Sequence, residues 1–152
     1  ILAAVALPQY ENAVQKARMT EALTVMKKVC DNVTLCLLSD ASGDSCWDMM
    51  GEGLEQYGTL SDTGDTLETK NFTFVAFYRN TIVAVPKYAG GMDNPDYRFL
   101  MIPDGIIAQD PDYWTQGKRG CFPQTDKGTA FCKKLGGTYH ADWYGIGGAY
   151  SF

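Results

Sequence analysis

ILAAVALPQYENAVQKARMTEALTVMKKVCDNVTLCLL, residues 1–38, decides how this chain folds, because two different helical surfaces follow one another in it. Ile1 to Leu7 are apolar without a break. Pro8 follows, and beyond it charged and apolar residues recur at helical spacing. Tyr10, Val14, Ala17, Ala22, Leu23, Met26, Val29, Cys30, Val33 and Leu37 draw one stripe on a 3.6-residue helix. Glu11, Lys16, Arg18, Glu21, Lys27, Lys28 and Asp31 fall mostly off the stripe. Ala, Glu, Lys, Met and Leu dominate, and no glycine occurs before Gly43. Ser39-Asp40-Ala41-Ser42-Gly43 reads as the stop. A helix of about 38 residues is about 57 Å long at 1.5 Å per residue, more than a globular head covers, so part of it should project. Pro8 removes one backbone donor and crowds the preceding turn, which predicts a kink or a local unwinding there.

The run Ile1–Leu7 is too short to cross a bilayer, which takes about 20 apolar residues. It also lacks the basic front and the cleavage site of a secretory signal. Ile1 is an odd first residue for a natural chain. The expectation is a native subunit with roughly a dozen more apolar residues ahead of Ile1, enough for a spanning helix.

ILAAVALPQYENAVQKARMTEAL, residues 1–23, resembles the N-terminal helix of type IV pilins just downstream of their leader-processing site. The string from Ile1 to Tyr10 carries the match, continued by Ala13, Val14, Lys16, Ala17, Arg18, Glu21, Ala22 and Leu23. A second, weaker match is the family's C-terminal disulfide loop, here Cys121 to Cys132 in RGCFPQTDKGTAFCKKLGG. The family's processing site, methylated first residue and early acidic residue would all lie before Ile1. The resemblance implies a pilin fold, a helical filament of identical subunits, and waiting in the inner membrane before assembly by a separate, ATPase-driven machinery. It further implies an extracellular fibre serving adhesion, surface motility or DNA uptake. The filament core would be Ile1, Leu2, Ala3, Ala4, Val5, Ala6, Leu7, Pro8, Tyr10 and Val14, with the small alanines admitting close neighbours. Two other readings stand beside it: a type II secretion pseudopilin, and a minor tip pilin binding DNA or a receptor. No enzyme activity, cofactor or metal is expected.

Composition agrees with one exported domain of 152 residues. Hydrophobic residues make up 45% and charged residues 20%, which excludes a disordered chain and a polytopic membrane protein. The net charge of -5 argues against broad nucleic-acid affinity and leaves room for a small local basic patch, for instance Lys118-Arg119 or Lys133-Lys134. Residues 1–24 read as the projecting helix and residues 25–152 as the head. Within the head, 39–70 is rich in Ser, Gly, Asp and Thr and reads as a surface connector. An antiparallel sheet is expected over 71–108, and the disulfide-loop region over 109–152. Asn71–Tyr78 and Thr81–Val85 are β-branched and aromatic runs separated by Arg79-Asn80 at hairpin length. Tyr97–Ile102 reads as a third strand, Pro103-Asp104-Gly105 as a turn and Ile106–Ala108 as a fourth strand. The fold class is therefore α+β: a long N-terminal helix with a four-stranded antiparallel sheet on its C-terminal half.

Five cysteines without CxxC spacing argue for disulfides over zinc or thioredoxin chemistry. Two bridges and one thiol can be drawn fifteen ways from five cysteines. Cys121–Cys132 closes a short loop containing Pro123 and Gly128, and Cys36–Cys46 would pin the helix end. Cys30 then remains a thiol on the apolar stripe, and Cys30–Cys46 is the rival pairing. Disulfides imply an oxidising compartment. His140 is the sole histidine, and a Cys/His dyad is weighed against a surface or packing role. Asp40-x-Ser42-x-Asp44 resembles the start of a calcium loop but lacks its downstream Glu. Asp93, Asp96, Asp110 and Asp112 read as solvated turns. Asn32 and Asn71 begin sequons, of little weight in a bacterial product. The aromatic residues, 12% of the chain, are assigned to core and subunit contacts.

Overall fold

The computed structural model describes residues 2–39, Cys46, 51–77 and 81–152. Helix α1 spans Leu2–Leu38 and is helical on both sides of Pro8, with no unwinding there. Ser39 closes it, its N–H and hydroxyl both donating to the Cys36 carbonyl. The remaining stop residues 40–43, the calcium-like Asp40-x-Ser42-x-Asp44, and the hairpin tip at Tyr78, Arg79 and Asn80 lie outside the described residues.

Strands β1 (Thr59–Leu60), β2 (Thr66–Glu68), β3 (Phe72–Phe77), β4 (Thr81–Pro86), β5 (Tyr97–Met101), β6 (Arg119–Pro123), β7 (Thr138–His140) and β8 (Ala149–Ser151) form one sheet. Its order is β1-β2-β3-β4-β5-β6-β8-β7, with antiparallel pairing throughout. The sheet thus has eight strands, not the four read from sequence. Five strands go beyond the expected ones: β6, five residues long in the stretch read only as a disulfide-loop region, and β1, β2, β7 and β8, which at two or three residues are too short to show a period of their own. Two of them belong to the stretch expected to be only a connector. Leu54 and Leu67 from that stretch are fully buried against α1.

Ile106–Ala108 is not a strand. It belongs to a helix, α2 (Asp104–Gln109), and the expected turn Pro103-Asp104-Gly105 is its start. A short apolar run suits either element, and here α1 decides. The Gly105 N–H donates to Thr34 Oγ1 at 3.0 Å, and a Cβ on Gly105 would meet the Thr34 Cα at 3.0 Å. Helix α3 (Asp126–Lys134) lies within the loop region. Thr125 caps it by accepting from the Gly128 N–H, and Lys133 and Lys134 face its negative end.

Strand alternation splits the core into two layers. Phe72, Phe74, Ile82, Ala84 and Phe99 face α1, meeting Ala22, Val25, Met26, Val29 and Cys30. Val83, Val85 and Leu100 point the other way, where Trp143, Ala149, Ile102 and Ile106 cover them. Strand β4 is therefore buried at every position, unlike a strand with one wet face. Each large apolar side chain taken from water contributes about 1.5–3 kcal/mol.

Disulfides join Cys36 to Cys46 and Cys121 to Cys132, the second tying α3 to β6. Cys30 is the remaining thiol, and burial pushes its pKa up to about 12. At pH 8 the folded chain is expected to resist alkylation, and unfolding without reduction should expose one reactive thiol per chain. Labelling of five cysteines in unreduced protein would overturn the pairing.

Candidate functional site

The apolar stripe seats α1 on the head only from Ala22 onward. Ala22, Val25, Met26, Val29 and Val33 are at most 2% exposed. Earlier in the helix, residues 6–13 and 15–17 are exposed and Val14 is half-buried. Leu7 is 62% and Tyr10 68% exposed, so large apolar side chains stand in solvent on a rigid rod. The rod from Leu2 to Ala17 is about 24 Å long at 1.5 Å per residue. Of the expected filament-core residues, Ala6, Leu7, Pro8, Tyr10 and Val14 are on this rod. Ile1 and the side chains of Leu2, Ala3, Ala4 and Val5 lie outside the described residues.

Polar contacts fix the rod's direction. Glu21 accepts from Asn71 Nδ2 at 2.7 Å and from Thr69 Oγ1 at 3.3 Å, tying α1 to the β2–β3 turn. The Arg18 guanidinium lies 4.3 Å above the Tyr88 ring, a cation–π contact one helical turn ahead of Glu21. Tyr88 in turn shares a 2.9 Å hydrogen bond with Tyr97, whose ring stacks on Phe131 of α3. Sequence reading missed this second-half framework. Glu21 and Arg18 entered only as part of the pilin-like N-terminal string, with no tie to the head read for them, but α3 was legible in Thr125, Asp126, Lys133 and Lys134, a capped helix pattern.

Grooves flank the helix where it meets the head. One, of about 490 Å³, runs between Thr20, Leu23 and Cys30 of α1 and Met101, Asp104 and Lys118. Lys118 pairs with Asp104 at 2.9 Å, and Lys27 with Asp31 at 2.8 Å, at its rim. Nearer the front of α1, Gln15, Lys16 and Met19 face Phe131, Lys134 and Leu135 across a groove of about 370 Å³.

The chemical candidates do not converge. His140 Nε2 contacts Ser151 Oγ at 2.9 Å across β7 and β8, so its partner is a hydroxyl and not a thiol. Asp96 is structural: it accepts from Thr125 Oγ1 at 2.8 Å and pairs with Lys127 at 3.5 Å. Asp110 accepts from the Tyr113 N–H, an ordinary turn contact. Asn71 serves Glu21, and the Asn32 amide donates to the Glu52 carbonyl. No group of three or more His, Cys, Asp or Glu among the described residues could hold a metal ion. No helix among them is long and apolar enough to cross a membrane. No family model, no curated protein and no solved structure matches the chain.

Proposed function

We propose that this chain is a pilin-like structural subunit that polymerises through the front of α1 into a helical fibre outside the cell. The observation that carries the proposal is the projecting rod, with Leu7 and Tyr10 bare and the rear half locked into the head. Such a surface asks for cover. Burying a side chain like Leu7 contributes about 1.5–3 kcal/mol where the alternative is water. Where the alternative is lipid, packing supplies a smaller gain, and Ala3, Ala4 and Ala6 let helices approach closely. A head-to-tail operation that does not close a ring yields an open fibre with heads outside.

Two disulfides support an oxidising compartment for the head. On this reading the subunit waits in the inner membrane, held by the apolar front of its helix, and assembly exchanges lipid for copies of itself. Electron microscopy of sheared surface material from cells making the native subunit tests the proposal. Fibres in which this chain is the abundant protein are expected. Recovery of the subunit only as a dissolved monomer would overturn it.

A further inference from the structure

The chain's charges are sorted by flank. Residues 51–69 carry Glu52, Glu55, Asp62, Asp65 and Glu68 and no Lys or Arg. Residues 117–134 carry Lys118, Arg119, Lys127, Lys133 and Lys134 against Asp126 alone. The acidic stretch holds β1 and β2, the first edge of the sheet, and Leu54 seats it beside α1. The basic stretch holds β6 and α3, joined by the Cys121–Cys132 bridge in the half of the sheet away from β1 and β2. One molecule therefore presents an acidic flank beside the rear of α1, where Glu52 lies next to Asn32 and Leu35, and a basic flank beside its front, where Lys134 lies next to Gln15 and Lys16.

Internal pairing uses only part of this charge. Glu68 pairs with Lys87, Lys118 with Asp104 and Lys127 with Asp96. Glu52, Glu55, Lys133 and Lys134 are exposed and have no ion-pair partner among the described residues. Next to Lys134 lies the groove walled by Met19, Phe131 and Leu135, an apolar floor with a basic rim. Tyr57, 38% exposed and two residues on from Glu55 in the same acidic stretch, supplies a ring to go with its carboxylates.

We infer that the acidic flank at Glu52, Glu55 and Tyr57 docks on the basic α3 flank at Lys133 and Lys134 of a second copy. This rests on the filament reading and names the head-to-head partner surfaces within it. The pattern is directional. Flank to opposite flank, the charges attract; like flank to like flank, as in a two-fold pair, they repel. Sorting by sign thus favours the open head-to-tail series over a closed dimer.

Charge reversal tests it in the full-length subunit. Glu52→Lys with Glu55→Lys, and separately Lys133→Glu with Lys134→Glu, each place like charges at the contact. Each variant alone is expected to lower the yield of sheared fibres at least about tenfold, because like-charge juxtaposition is strongly unfavourable. Made together in one cell, the two variants restore alternating opposite contacts, and fibre yield should return to within about twofold of the unmodified chain. Subunit abundance and intact disulfides report folding, and the milder Lys133→Gln with Lys134→Gln variant should give an intermediate yield. Unchanged yield from either reversal, or well-folded variants that fail to rescue one another, would overturn the inference while leaving the filament reading intact. Absence of fibres from the unmodified chain would overturn both.

Discussion

Leu7→Asp is expected to abolish fibres and leave the head folded. The Leu7 side chain is 62% exposed and lies well ahead of Ala22, where burial of α1 begins. Removing it costs the isolated head little, since surface substitutions usually stay within about 0.5 kcal/mol. In the polymer the same position faces either lipid or other apolar helices, and a carboxylate there costs about 2.5–3.5 kcal/mol on membrane-insertion scales. That penalty recurs at every subunit, so growth of the fibre fails rather than slows. The measurement is the amount of sheared fibre beside the amount of folded, doubly bridged subunit in the cell. Normal fibres built from the variant would remove the rod from the assembly.

Trp143→Ala should be the most damaging single change inside the head. Trp143 is fully buried, and its indole lies on β6 where Gly120 leaves room. A Cβ at Gly120 would sit 3.3 Å from the ring, tighter than ordinary contact. The indole N–H donates to the Gln116 carbonyl at 3.3 Å, so the polar end is also accounted for. Truncating a buried Trp to Ala typically costs about 3–5 kcal/mol. Against a total stability of about 5–15 kcal/mol, that is a large share. The melting temperature should fall by about 6–20 °C, at about 2–4 °C per kcal/mol for a domain of this size. Gly120→Val should act in the same direction through overpacking, by about 1–3 kcal/mol. A loss below about 1 kcal/mol for Trp143→Ala would mean the second core layer is not required.

Much of the site was readable because it is local. The periodicity of α1 places Ala22, Met26, Val29 and Val33 on one face whatever they pack against, and Leu2–Leu7 breaks that pattern within the same helix. Strands β3, β4 and β5 announce themselves through β-branched and aromatic runs. The acidic and basic stretches can also be counted in the sequence, but nothing there says that they flank one helix.

What the sequence determined by itself is the long helix with a bare front, and three central strands, because each follows from repeats within one segment. What only the tertiary structure decided is the width of the sheet, the second core layer and the fate of Ile106–Ala108. Strands of two or three residues such as β1 and β7 exist only as partners of their neighbours. Ile106 turns inward from a helix because Gly105 lets that helix rest on Thr34. Trp143 is buried because Gly120, far away in the chain, has no side chain to refuse it. Such outcomes depend on which distant surfaces meet, and chain order alone does not carry that information.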